Sequence, residues 1–144
     1  MNVPFLDVAA GYRELRDELD SAISRVLSHG HYVLGEEVEQ FERDFAVYCD
    51  VPYCVTVGNG LDALRLLLLA YGIGPGDEVI VPANTYIATV LVINQVGATP
   101  ILVEPDIQTY ILDPKKIEKA MTRKTKAVIA VHLYGQTADI QSIK

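Results

Sequence analysis

Four short, almost uninterrupted apolar runs, residues 53–57, 78–81, 99–103 and 127–131, punctuate the chain, and the segments between them carry helical patterning. A strand that is apolar on both faces belongs to a parallel sheet covered by helices on each side. The spacers agree. Leu64, Leu67, Leu68 and Tyr71 share one helical face, residues 87–96 are long enough for a crossover, and Asp113-Pro114 opens a helix that runs to Met121. Repeated strand and helix alternation of this kind predicts an α/β fold. Ahead of it, residues 12–27 read as a helix because Leu15, Leu19, Ile23, Val26 and Leu27 recur with helical period, and residues 36–49 read as a second helix burying Val38, Phe41, Phe45 and Tyr48. The expected organisation is one incomplete domain over 1–144, with helices in 1–50 and the alternating sheet in 51–144. Residues 138–144 look like the opening of another helix without a stop signal, so the chain reads as cut. An unfinished sheet is expected to leave an open edge and apolar surface, hence aggregation or dependence on further chain.

Composition narrows the function classes. Of 144 residues 50% are apolar, which argues for a packed core and against disorder. Twelve basic residues stand against 19 acidic ones, a net charge of −7, so the basic footprint needed to displace counterions from nucleic acid is missing. The apolar runs are too short to span a bilayer, and the first residues lack the basic region and apolar core of a signal peptide, so the expectation is a cytoplasmic protein with no membrane partner. Cys49 and Cys54 are too few for a metal site and are expected as reduced, partly buried thiols at a junction between helix and strand.

The sharpest local feature is Val57-Gly58-Asn59-Gly60-Leu61-Asp62-Ala63-Leu64, in which an apolar strand gives way through a glycine turn to a helix. That arrangement offers free N–H groups and the positive end of a helix dipole to an anion, and glycine lets a phosphate approach the main chain. The same stretch matches the dinucleotide pattern G-x-G-x-x-A, but such a site wants an acidic residue at the far end of the next strand, where Pro82-Ala83-Asn84 stands instead. A purely structural turn is the plain alternative, and Asp62 would repel a phosphate unless it points away. In Pro82-Ala83-Asn84-Thr85-Tyr86-Ile87-Ala88-Thr89 a strand again ends where a helix starts. Ligands in such sheets sit beyond the carboxyl ends of the strands, so Tyr86 is placed to lay its ring over a flat ligand, core packing being the alternative. His132 is expected as a packed or hydrogen-bonded residue at a strand end with a role near the ligand open; His29 and His31 show no ligand spacing.

Six motifs in order carry a resemblance over essentially the whole chain: Pro4-Phe5-Leu6-Asp7; Tyr32-Val33-Leu34-Gly35 with Phe41-Glu42; Gly58 to Leu64; Pro75-Gly76-Asp77-Glu78-Val79-Ile80-Val81-Pro82; Asn84 to Thr89; and Val131-His132-Leu133-Tyr134-Gly135-Gln136. In these the chain resembles the sugar aminotransferases of the DegT/DnrJ/EryC1/StrS group. The resemblance implies the amino-terminal part of a fold-type-I aminotransferase large domain, pyridoxal phosphate as cofactor, and a homodimer with active sites at the subunit interface. It implies an amino-acid donor, usually glutamate, and a nucleotide-linked keto sugar as acceptor, in amino-sugar and polysaccharide biosynthesis. It maps the phosphate turn to Asn59, Gly60 and Leu61 and the stacking aromatic to Tyr86. Family members often carry hydroxyl residues at this turn, whereas Leu61 offers only its amide. Glu104-Pro105-Asp106 and Thr109-Tyr110, with the 59–64 stretch, are most similar to the branch aminating the 3-keto position of dTDP-linked 6-deoxyhexoses.

Transamination on this cofactor needs a Schiff-base lysine and a carboxylate beside the ring nitrogen. The resemblance puts both beyond residue 144; Lys115, Lys116, Lys119, Lys124, Lys126 and Lys144 read as solvated surface, and Asp106 and Asp139 are not the ring partner. The chain alone is therefore expected to be inactive. Alternatives are a pyridoxal-phosphate sugar dehydratase with histidine at the lysine position, a noncatalytic binding or interaction protein, and a nicotinamide enzyme.

Overall fold

The computed structural model describes residues 3–144, and the chain divides into two compact units, Met1–Thr56 and Val57–Lys144. In the first unit α1 (Ala9–Glu14) and α2 (Arg16–His29) are separated at Leu15, whose φ of −107° and ψ of 20° leave the helical region. The single helix expected over residues 12–27 is thus broken near its start and runs two residues longer. Gly30 ends α2 at a positive φ of 67°, a conformation that costs glycine nothing. The third helix, α3 (Glu36–Tyr48), carries Glu36, Glu37 and Glu39 in its first turn, where carboxylates favour the helix dipole.

Burial in this unit departs from expectation. Phe41, Phe45 and Tyr48 are exposed rather than buried, and Ala46 is the one buried side chain of α1, α2 and α3 among the described residues. Helical period reveals which face is apolar and says nothing of what covers it. Phe41 and Phe45 stack on each other instead, with ring centroids 5.4 Å apart. Cys49, which caps α3, is exposed as well, while Cys54 is half-buried; both are free thiols. The run 53–57 is not a strand. Tyr53 and Val55 are largely exposed, and the segment is tied down by Glu42, whose carboxylate accepts from both the N–H and the hydroxyl of Thr56 at 2.7 Å.

The second unit is an α/β layer around three parallel strands in the order β2-β1-β3: β1 (Glu78–Pro82), β2 (Thr99–Val103) and β3 (Thr125–Val128). The fourth expected strand is absent because residues 53–57 find no strand edge to pair with among the described residues. β3 begins two residues earlier than its apolar run, since pairing with β1 starts at Thr125 opposite Glu78 and shifts register by a bulge before Val79. Side chains alternate along β1, and the core splits with them. Val79 and Val81 face Leu68 of α4 (Gly60–Ala70) and Val92 and Ile93 of α5 (Ile87–Gln95); Ile80 faces Leu112 and Ile117 of α6 (Pro114–Ala120), with Ile143 of α7 (Ile140–Ile143) packed alongside. Right-handed crossovers to strands on opposite sides of β1 require this placement of α5 and α6 on opposite faces. Val79, Ile80, Val81, Val92 and Ile93 retain no exposed surface. At about 1.5–3 kcal/mol for each such side chain, a one-residue slip that exchanged the two faces of β1 would be costly.

Candidate functional site

The helices α4 and α5 each run antiparallel to β1, so their first turns and the exit of β1 share the carboxyl edge of the sheet. Asn59 caps α4: its Oδ1 accepts from the Asp62 N–H at 2.9 Å, and its Nδ2 donates to Asp62 Oδ2 at 2.9 Å. This reciprocal pair holds the Asp62 carboxylate against the turn, beside Gly58, 3.3 Å from where a Cβ would be. Gly60 is the opposite case, with nothing within 4 Å of the place a Cβ would take. The N–H groups of Gly60 and Leu61 have no carbonyl a turn earlier in the helix to donate to, which leaves two aligned donors at the positive end of an 11-residue helix. Leu61 is half-buried, packed against the core by its side chain, so its amide is what it offers the edge.

Tyr86 caps α5 in an extended conformation, with its side chain 77% exposed. Among the described residues it is not packed into the core. The Thr85 and Thr89 hydroxyls bond at 2.9 Å and the Tyr86 carbonyl accepts from the Thr89 N–H, which fixes the residue's backbone. His132 is hydrogen-bonded as expected, though it lies beyond the end of β3 at Val128 and not at a strand end: its Nδ1 accepts from the Ala138 N–H at 2.9 Å. Lys115, Lys119, Lys124, Lys126 and Lys144 are exposed, while Lys116 departs from the solvated reading by donating to the Pro105 carbonyl at 2.8 Å. Asp106 and Asp139 serve turns. Asp106 Oδ1 accepts from the N–H groups of Gln108 and Thr109, and Asp139 caps α7 through Ser142; these hydrogen bonds, the backbone donor of Gln108 and the Ser142 hydroxyl foremost, hold each carboxyl below the usual aspartate range.

Sequence reasoning did not single out Tyr110 as a site residue. Tyr110 and Tyr134 both have left-handed backbones, φ 60° and 56°, and their rings meet edge to face with centroids 6.5 Å apart at 80°. A left-handed L-residue costs about 1–2 kcal/mol, so two cost more than the roughly 0.5–1.5 kcal/mol that an aromatic pair returns. Asn84, two residues ahead of Tyr86, donates its Nδ2 to the Tyr110 carbonyl at 2.9 Å while its enclosed Oδ1 has no partner among the described residues. No signal in the sequence marks that bond, which joins positions 26 apart. In the first unit a cleft of about 390 Å³ is lined by Arg25, His29, His31 and Tyr32 among others and includes none of Asn59, Gly60, Leu61 and Tyr86. Among the described residues no cluster of His, Cys, Asp and Glu is arranged to hold a metal, and no helix is long and apolar enough to cross a membrane.

Parallel strands flanked by helices, with a capped helix start at Asn59 and an exposed aromatic following β1, are the α/β architecture of the aminotransferase class. The chain belongs to the DegT/DnrJ/EryC1/StrS aminotransferase family, whose family pattern matches residues 13–144. It is 57% identical over 141 residues to the dTDP-3-amino-3,6-dideoxy-alpha-D-galactopyranose transaminase of Aneurinibacillus thermoaerophilus, covering 98% of this chain and 39% of that protein. Among solved structures, S. venezuelae DesV in complex with a ketimine intermediate superposes with a TM-score of 0.94 at 54% identity, over 98% of this chain and 38% of that one. NtdA from Bacillus subtilis with bound cofactor PMP superposes at 0.90 and 41% identity, over 99% of this chain and 33% of that one. The chain spans about 39% of the length of the first of these relatives.

Proposed function

We propose that this chain is the amino-terminal, cofactor-binding part of a pyridoxal-phosphate-dependent aminotransferase that carries an amino group, from glutamate, to a nucleotide-linked keto sugar. Residues 1–144 are read as one incomplete large domain, with 1–50 supplying helices and 51–144 the cofactor-binding sheet. What supports the reading is the capped start of α4 at Asn59 together with the exposed Tyr86 that follows the exit of β1. The residues suit the cofactor: open space over Gly60 admits a phosphate, and the Asp62 carboxylate is occupied by Asn59. The Gly60 and Leu61 amides bind the phosphate, Asn59 fixes the turn by capping it, and the Tyr86 ring stacks on the pyridine face. When bound, the cofactor supplies an electron sink for carbanion chemistry. Tyr86 orients the ring and shields one face from water; we assign the Schiff-base lysine and the carboxylate at the ring nitrogen to positions after residue 144.

The transaminase name of the relative at 57% identity supports a dTDP-linked 3-keto-6-deoxyhexose as acceptor. We further assign the protein to a homodimer with interfacial active sites, to the cytoplasm, and to amino-sugar and polysaccharide biosynthesis. The test is to incubate the full-length protein with pyridoxal phosphate, glutamate and a dTDP-3-keto-6-deoxyhexose, following the visible cofactor band and the mass of the sugar product. An amino sugar formed with loss of glutamate is expected. Loss of water from the sugar without amine transfer would identify a dehydratase and refute the reading, as would saturable dinucleotide binding without a cofactor band.

A further inference from the structure

Because β2 and β3 flank β1 on opposite sides, the loops leaving their carboxyl ends start on either side of the β1 exit. The edge-to-face contact of Tyr110 and Tyr134 joins those two loops, so it passes across the carboxyl end of the central strand, where the Asn84 to Tyr86 segment emerges. Each half is anchored independently. Tyr110 sits at the end of a turn closed by Asp106, whose carbonyl accepts the Tyr110 N–H at 2.8 Å, and Lys116 ties down the neighbouring Pro105 carbonyl. Tyr134 lies within the turn that His132 closes by accepting the Ala138 N–H. Asn84 then attaches the Tyr86 segment to the clasp through the Tyr110 carbonyl.

We propose that Tyr110 and Tyr134 are positioning residues: their aromatic clasp, acting through Asn84, sets the angle at which Tyr86 meets the pyridine ring of the cofactor. Three features support it. Both tyrosines hold left-handed backbones where glycine or asparagine would be relaxed, so the rings are retained against local preference. The Asn84 amide nitrogen donates to the Tyr110 carbonyl, a direct bond between the segment that carries Tyr86 and the clasp. Tyr110 and Tyr134 are exposed, 50% and 82%, so burial among the described residues does not account for the arrangement. The proposal rests on the pyridoxal phosphate reading, and its test separates the two.

Tyr110→Ala, Tyr134→Ala, the double variant and Tyr134→Phe are made in the full-length protein. Each is titrated with pyridoxal phosphate while visible circular dichroism of the bound cofactor and the thermal midpoint are recorded. Either alanine variant should weaken cofactor binding about two- to tenfold, the range of one edge-to-face pair, and alter the visible dichroism even at saturating cofactor. The double variant should be no worse than the poorer single one, because both remove one shared contact, and Tyr134→Phe should restore the wild-type spectrum. Alanine variants that melt earlier yet keep wild-type affinity and dichroism would overturn the clasp and leave the cofactor reading standing. A wild-type protein that binds no pyridoxal phosphate would sink both.

Discussion

Gly60→Ala separates a phosphate site from a structural turn because only the first predicts a loss of cofactor affinity beside a gain in stability. Gly60 is the first residue of α4 and has no described residue within 4 Å of the position its Cβ would occupy, so an alanine methyl meets no neighbouring atom among them. Its φ is not in the left-handed region, and the unfolded chain loses freedom on the change, so stability should rise by about 0.4–1 kcal/mol. The methyl nevertheless stands in the space a phosphate oxygen would need to reach the Gly60 amide. A hydrogen bond to a charged group contributes about 1.5–3 kcal/mol, so losing one weakens the phosphate's hold by roughly ten- to 150-fold. Urea unfolding read by far-ultraviolet dichroism gives the stability, and absorbance titration with pyridoxal phosphate in the full-length protein gives the affinity. Raised stability with unchanged affinity would refute the phosphate assignment, and lowered stability would refute the reading of the open space.

Tyr86→Phe should hold cofactor affinity within about twofold while Tyr86→Ala weakens it about two- to tenfold, since ring area rather than the hydroxyl makes the stack; equal losses in an absorbance titration would mean that the hydroxyl carries the role. Ile80→Ala empties the centre of β1 and should cost about 2–5 kcal/mol in urea unfolding, with a loss under about 1 kcal/mol showing that the second face of the sheet is loosely packed. Glu42 gives a pH dependence of known sign. The Thr56 backbone N–H, then its hydroxyl, holds the carboxyl below the ordinary glutamate value of about 4.3. Its stabilisation is therefore complete above that value and is lost as pH falls through the lower folded-state value, so urea midpoints measured from about pH 5 to 3 should fall less steeply in Glu42→Gln. Parallel curves would remove Glu42 from that role.

Local chemistry alone was enough for much of the second unit. Asp113-Pro114 opens α6 because aspartate caps and proline suits a first turn, and Asp113 does accept from the Lys115 N–H. The apolar runs at β1 and β2 fall where strands form, since residues apolar on both faces have no stable place except inside a covered sheet. Gly58-Asn59-Gly60 announces the α4 start by the same logic, its cap and its free amides being consequences of neighbours a few residues apart. Other features needed the whole arrangement. Residues 53–57 have the composition of a strand but remain unpaired, because a strand exists only where another edge accepts its hydrogen bonds. Phe41, Phe45 and Tyr48 stay exposed because period defines a face and only packing supplies its cover. The Asn84 bond to Tyr110 and the meeting of Tyr110 with Tyr134 were decided by strand order, since placing β2 and β3 on either side of β1 is what carries those distant residues to one edge.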